Sequence, residues 1–266
     1  MQTVLRAIFY FSAFIIFWAM IGYSLSLKIL RRIYKNRHLI KDYSYQPTVT
    51  VMVVAHNEEK VIRNKLENIK NLDYPKDKIE FLISSDHSTD KTNEIIKEFI
   101  VNNPDYKIRL YEVKERKGKT NAQNEAQKTV KSEILVMTDA NSMLKKDSIK
   151  ELVAAFSSPD VSYVTGRLII ANKDDSDTAS LENTYWDLDT CLRQIESDIL
   201  TLTAGNGALY ACRNEEYYDF DPIECHDISM PRFYALKNKR ALYNPEAIAY
   251  EKAGEVIEDE FKRKVR

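Results

Sequence analysis

Apolar positions along the chain fall into one long run and many short ones. The long run, residues 7 to 27 (AIFYFSAFIIFWAMIGYSLSL), carries no charge. Wound as a helix, it is long enough to cross a bilayer core of roughly 30 Å, so the pattern predicts a transmembrane anchor. It is too long for the apolar core of a cleaved signal peptide, about 7–15 residues, and lacks a clear small-residue cleavage site. The short runs end in polar residues and alternate with segments of helical spacing. TVTVMVVAHNEE predicts a strand over Val49 to Ala55, buried on both faces. A helical pattern follows from Glu58 to about Leu72, then a Tyr-Pro turn and a second strand in KIEFLISSDHSTD. Ser88, Thr89 and Asp90 supply N-cap chemistry for a helix in TDKTNEIIKEFIVNN. KIRLYEV reads as strand three, the loop KERKGKT leads into a polar helix from about Asn121 to Lys131, and EILVMTDA reads as strand four.

This alternation predicts an α/β fold, a largely parallel sheet with helices on both faces. Ligands of such sheets bind beyond the carboxyl ends of the strands. Here those ends carry His56-Asn57-Glu58, Asp86-His87-Ser88 and Asp139-Ala140-Asn141. Beyond residue 150 the pattern loosens: LVAAFSS looks helical, VSYVTGRLII looks like a strand, and Asp177 to Ile199 reads as one long helix. TAGNGALYACR holds two of the six glycines around Asn206, which predicts unusual torsions or a close approach to another group. The end, from Ala249 onward, is helical in character and finishes on four cations in its last five residues.

Charge changes this picture only locally. The 39 Lys and Arg nearly balance the 40 Asp and Glu, so the net charge of -1 gives no reason to propose nucleic acid as a partner. After the apolar run come Lys28, Arg31, Arg32, Lys35, Arg37 and Lys41, against Arg6 alone before it. That asymmetry predicts a cytoplasmic location for everything after the anchor, at the inner (plasma) membrane. Cys191, Cys212 and Cys225 are too few and too irregularly spaced for a disulfide framework, which fits a reducing compartment. The expected organisation is an anchor and basic juxtamembrane segment over residues 1 to 45, then one main domain over 46 to 266, with halves at 46 to 145 and 146 to 266.

Candidate chemistry gathers at the strand ends. An Asp and an amide at i, i+2, as in Asp139 and Asn141, can present oxygens to Mg²⁺ or Mn²⁺, which often use one or two carboxylates plus substrate phosphates. The same pair also occurs in ordinary turns where the side chains bond their own backbone. Arg116, Lys117 and Lys119 around Gly118 form a cationic loop suited to phosphate oxygens, or simply a solvated surface. No GxxxxGK[ST] exists and no GxGxxG follows the first strand, so Walker-type and dinucleotide-binding readings lose their usual support.

Taken in order, these motifs resemble the inverting family 2 glycosyltransferases of GT-A fold, over about residues 49 to 266. VTVMVVAHNEE is similar to the family's first strand with Asn-Glu-Glu, SSDHSTD to its Asp-Asp-Gly-Ser-Thr-Asp, ERKGKTNAQNEA to its Gly-Lys segment, and TDAN to its Asp-X-Asp. GNGALYACR and ECHDISMPRFYALKNKRALYNPEAIAYE resemble its acceptor-side segments. The resemblance implies that Asn57, Glu58, Asp86 and Lys119 lie against the nucleotide, and that Asp139 and Asn141 sit at the diphosphate and a Mg²⁺ or Mn²⁺ ion. It implies that Asp227 is the general base that deprotonates the acceptor hydroxyl, although an Asp there can equally cap the helix beginning ISMPRF. Arg263 and Arg266 would clamp the diphosphate. The implied partners are a nucleotide-sugar donor, a UDP-sugar, and a saccharide or lipid-linked acceptor of cell-envelope or exopolysaccharide synthesis. Three positions depart from the family pattern: Ser85 for an Asp, Asn141 for the second metal-site Asp, and His226 for the acid before the base. FKRKVR lacks the Trp of the Gln-X-X-Arg-Trp motif found in polymerising members, which points to single or short addition. A domain that binds without turnover and a nucleotidyltransferase are the competing readings.

Overall fold

The computed structural model describes residues 2–34, 39–172 and 177–253, excluding the side chains of 177–179, 181–183 and 185. Helix α1 (Gln2–Phe17), a π-helical turn (Trp18–Gly22) and α2 (Tyr23–Ile33) form one apolar rod of 32 residues. Its side chains lie almost entirely exposed, as suits a helix with apolar residues all round. The inner end is different: Leu27 is buried against the globular part, where Arg31 pairs with Asp198 at 2.6 Å.

The sheet has eight strands in the order β3-β2-β1-β4-β7-β6-β8-β5. β1 (Val49–Ala55), β2 (Ile79–Ser85), β3 (Ile108–Glu112) and β4 (Ile134–Asp139) are mutually parallel, as the alternating pattern predicts. β-Branched and long apolar residues fill them because both faces are covered. Val49, Val51 and Val53 point into one core with Ile62, Leu66 and Ile69 of α3 (Ile62–Lys70) and with Ile96 and Phe99 of α4 (Thr92–Asn102). Met52, Leu82, Leu135 and Met137 point into the other, near Ala126 of α5 (Lys119–Gln127). Register levels the strand ends: Val54 faces Asp139 and Ala55 faces Ser85.

The second half departs from a parallel sheet. β7 (Leu209–Arg213) runs antiparallel to both β4 and β6 (Val161–Ile170), while β8 (Arg240–Glu251) lies parallel to β6 and antiparallel to the short β5 (Met143–Leu144). The reversal of β7 matters for the site, because its approach, residues 203 to 208, enters beside the carboxyl end of β4. β8 has no clear periodicity in sequence, since Asn244-Pro245-Glu246 interrupts it, and the structure absorbs those residues in a register shift opposite Thr165 and Arg167. The predicted terminal helix therefore does not begin at Ala249, which is still strand; residues 254–266, with Arg263 and Arg266, lie outside the described residues. Before β6 lies α6 (Ser148–Ala154), as LVAAFSS suggests, and after it the long helix α7 (Asp177–Ile199) has the predicted bounds. The last helix among the described residues, α8 (His226–Leu236), begins one residue before Asp227.

Candidate active site

A crevice of about 390 Å³ opens at the carboxyl ends of β1, β2 and β4, lined by Val54, His56, Glu58, Asp86, Lys119, Asp139, Ala140, Asn141 and Glu251. Five of the predicted site residues, Glu58, Asp86, Lys119, Asp139 and Asn141, thus share one cavity. Asn57 does not line it. It sits exposed at φ 56°, and its Oδ1 accepts the Thr89 N–H at 2.8 Å, so it ties the β1 turn to the β2 turn.

Asp86 is only 3% exposed, and its carboxylate accepts backbone N–H groups from Lys117 (3.3 Å) and Gly118 (3.1 Å). The backbone of the cationic loop is therefore pinned to the end of β2, while the Arg116 and Lys117 side chains stay exposed and only Lys119 of the three cations lines the crevice. Gly118 makes this attachment possible at φ +93° and ψ 170°, a backbone conformation that side chains avoid, immediately before α5. Lys119, the first residue of α5, reaches the crevice and ion-pairs with Asp139. Burial works against its ammonium, but Asp139 and Asp227 outweigh that and hold its pKa above the usual lysine value. Its side chain is still 41% exposed along the crevice.

Asp227 arrives from the other side on the first turn of α8. The N-cap is Cys225, whose side chain makes no capping bond, and Asp227 is the second residue of the helix. Its backbone carbonyl accepts the Gly205 N–H at 2.7 Å, which joins α8 to the segment before β7. That segment carries the two glycines, and close approach is what they allow: a Cβ on Gly207 would stand 2.9 Å from Lys119 Nζ, 3.3 Å from Asp139 Oδ2 and 3.7 Å from Asp227 Oδ2. The three charged groups meet around one missing methyl. Burial raises the Asp227 pKa, Lys119 opposes the rise, and Asp139 adds to it.

His226, in place of an acid, is buried between Gln123 Oε1 (2.8 Å from Nδ1) and the Tyr217 hydroxyl (2.9 Å from Nε2). Burial, with the Lys119 charge, pushes its pKa down to about 4, so it stays neutral at pH 7 and anchors α8. Ser85, the other departure, faces away from metal chemistry, its hydroxyl donating to Ser88 Oγ at 3.0 Å. Tyr210 belongs to the core, and Trp186 packs partly buried against it.

Reasoning from sequence alone missed two lining residues. His56 was visible at the end of β1, and its Nδ1 sits 2.7 Å from the Asp86 carbonyl oxygen. Glu251 ends a strand whose pattern was illegible. Among the described residues no group of three or more His, Cys, Asp or Glu is arranged to hold a metal by itself. The donor set is all oxygen, one carboxylate at Asp139 and an amide at Asn141, within a cavity open to a ligand. That set fits a hard divalent ion that takes its remaining ligands from phosphate and water, and does not fit a self-sufficient metal cage.

Known proteins place these features in context. The family model described as Glycosyl transferase family 2 matches residues 50–223. A beta-monoglucosyldiacylglycerol synthase of Nostoc sp. is 32% identical over 139 residues, 52% of this chain and 30% of that protein. A poly-beta-1,6-N-acetyl-D-glucosamine synthase of Staphylococcus epidermidis is 28% identical over 239 residues, 87% of this chain and 57% of that protein. This chain thus spans about a third to just over half the length of these curated relatives. Among solved structures, the mannosyltransferase PcManGT of Pyrobaculum calidifontis, in complex with GDP-Man and Mn²⁺, superposes with a TM-score of 0.76 at 28% identity, covering 91% of this chain and 68% of that one.

Proposed function

Since the chain belongs to glycosyl transferase family 2, we propose that it is an inverting enzyme that transfers a sugar from a UDP-sugar to a saccharide or lipid-linked acceptor, at the cytoplasmic side of the inner membrane. The observation that carries the reading is the meeting of Asp139, Lys119 and Asp227 around Gly207. An acid on the nucleotide side and a second acid on the acceptor side, separated by a cation, are what displacement at an anomeric carbon requires.

In this account Asp86 and Glu58 receive the nucleoside, and Lys119 with Asp139 and Asn141 borders the diphosphate. A bound Mg²⁺ or Mn²⁺ would sit at Asp139 and Asn141 and offset the charge of the diphosphate as it leaves. Asp227 takes the proton from the acceptor hydroxyl while that oxygen attacks the anomeric carbon from the face opposite the diphosphate. The new carbon–oxygen bond forms, the bond to the diphosphate breaks, and the configuration inverts. A base with a raised pKa suits the task, because a carboxylate of ordinary acidity takes up a hydroxyl proton poorly.

The names of the relatives bear on the acceptor. One is a synthase of a glucosylated diacylglycerol and one of a GlcNAc polymer. Both fit a lipid-linked or saccharide acceptor met at a membrane, and the apolar rod of 32 residues fits an anchor that keeps the crevice there.

The test is product analysis with radiolabelled UDP-glucose, UDP-GlcNAc and, as the contrast set by the solved neighbour, GDP-mannose. Incubation with lipid and saccharide acceptors should release UDP and transfer label with inversion. Asp227→Asn should lower the rate about 10²–10⁴-fold, the range for a general base, and leave donor affinity within threefold. Release of pyrophosphate would select a nucleotidyltransferase, and an unchanged rate in D227N would remove Asp227 from the chemistry.

A further inference from the structure

Beneath the crevice lies an ionisable group that the site description leaves unused. Lys65 is on α3, on the face that otherwise buries Ile62, Leu66 and Ile69, and it has no solvent exposure. Its Nζ donates to Thr138 Oγ1 at 2.9 Å and to the Ser142 carbonyl oxygen. These acceptors bracket the turn Asp139-Ala140-Asn141, one residue before it and one after. Each bond continues outward. The Thr138 hydroxyl donates to the Ala208 carbonyl oxygen at 2.7 Å, next to Gly207, and the Ser142 hydroxyl donates to Glu251, which lines the crevice.

An amine costs free energy to bury unless its N–H groups find acceptors, so a lysine here is kept against the hydrophobic pattern of its own helix. Burial pushes its pKa down to about 7, with Asp139 and Glu251 drawing it back up. The two hydrogen bonds satisfy both N–H groups of the neutral amine, whereas the ammonium carries a third.

We propose that Lys65 is a positioning residue for the metal and diphosphate end of the crevice, holding the turn that presents Asp139 and Asn141 through paired hydrogen bonds to Thr138 and Ser142. The inference rests on the family 2 reading of that end. Asp139 is the last paired residue of β4, beside Val54, but Asn141 lies beyond the strand in a turn closed by the backbone bond from Ser142 N–H to the Asp139 carbonyl at 3.2 Å. Lys65 braces the turn from the sheet side and ties it to the segment before β7, so the nucleotide side and the Asp227 side keep their spacing.

The experiment is isothermal titration of the full chain in detergent with Mn²⁺, in saturating UDP, for wild type, Lys65→Met and Thr138→Val. Lys65→Met keeps the length and apolar stem and removes both donors. Folding is checked by circular dichroism and gel filtration. The expected result is folded K65M whose Mn²⁺ affinity is at least tenfold weaker, with metal-free UDP binding changed less than threefold, and T138V about threefold weaker in Mn²⁺. A purely structural role would lower the melting temperature and leave the Mn²⁺ isotherm of the folded protein unchanged; K65M within twofold of wild type overturns the proposal. If K65M does not fold, T138V decides: unchanged Mn²⁺ affinity overturns the proposal and a threefold loss supports it. Wild type that binds UDP without any Mn²⁺ effect removes the metal reading itself, and the proposal with it.

Discussion

Asp227 and Lys119 face each other beside Gly207, and each sets the proton affinity of the other. Burial raises Asp227 and Lys119 pulls it back, so removing the lysine takes away the largest influence that opposes burial. A general base works deprotonated, so kcat/KM should rise with pH through the Asp227 pKa and then level off. In Lys119→Met that acid limb should move to higher pH, which a rate profile from pH 4 to 9 will show; a limb that stays in place separates the two residues. His226 makes a prediction of its own. Its folded pKa of about 4 lies below an ordinary value of 6.5, so the unfolded chain binds the proton first as pH falls. Stability is therefore full above pH 6.5 and is lost on going down to about 4, by about 3 kcal/mol at most. Urea melts should show this slope in wild type and a flatter one in His226→Gln over the same window. Asp227, Asp139 and Lys119 were pointed to only by the family resemblance of their ordered motifs, since alone an Asp can cap a helix and Asp-X-Asn can close a turn. The role of His226 was not legible, because nothing in ECHD reveals that Gln123 and Tyr217 close over the ring.

At the scale of elements, β1 to β4 and the helices between them follow from period and length, since β1, β2 and β4 are nearly continuous apolar runs and β3 alternates. The second half resisted because its strands are bulged or short. β8 contains a proline, and the long α7 gives no hint that β7 will return antiparallel. Yet that reversal delivers Gly205 and Gly207 to the crevice. The loop before α5 was readable as cationic, but its attachment to Asp86 through backbone amides was not. Gly118 carries that attachment. Gly118→Ala puts a Cβ on a backbone at φ +93°, a strain of about 1–3 kcal/mol. Relieving it means releasing the amides from Asp86, so UDP affinity should fall at least fivefold with the sheet intact by circular dichroism. Unaltered affinity would show that the loop is not part of the nucleotide site.

For the whole molecule, the apolar N-terminal rod is joined to the globular part. Helix α2 docks along the end of α7, through Tyr23 to Glu196 and Arg31 to Asp198. Glu196 also accepts the Thr203 N–H at 3.0 Å, at the start of the segment that leads to Gly207. The apolar N-terminal helix is thereby linked to the segment that brings Gly207 to the crevice. Asp198→Ala should speed hydrogen exchange of the α2 amides about fivefold, matching about 1 kcal/mol for a partly exposed pair; no change would mean that the anchor moves independently.

The central claim is that a nucleoside diphosphate and a divalent ion meet at Asp139. The direct measurement is isothermal titration of the detergent-solubilised chain with UDP, and with GDP for comparison, in Mn²⁺ and then in EDTA, for wild type and Asp139→Ala. The account predicts Mn²⁺-dependent UDP binding that EDTA weakens at least tenfold and that the variant loses to the same degree. Equal binding with and without metal, or an Asp139→Ala variant that binds as tightly as wild type, would contradict it.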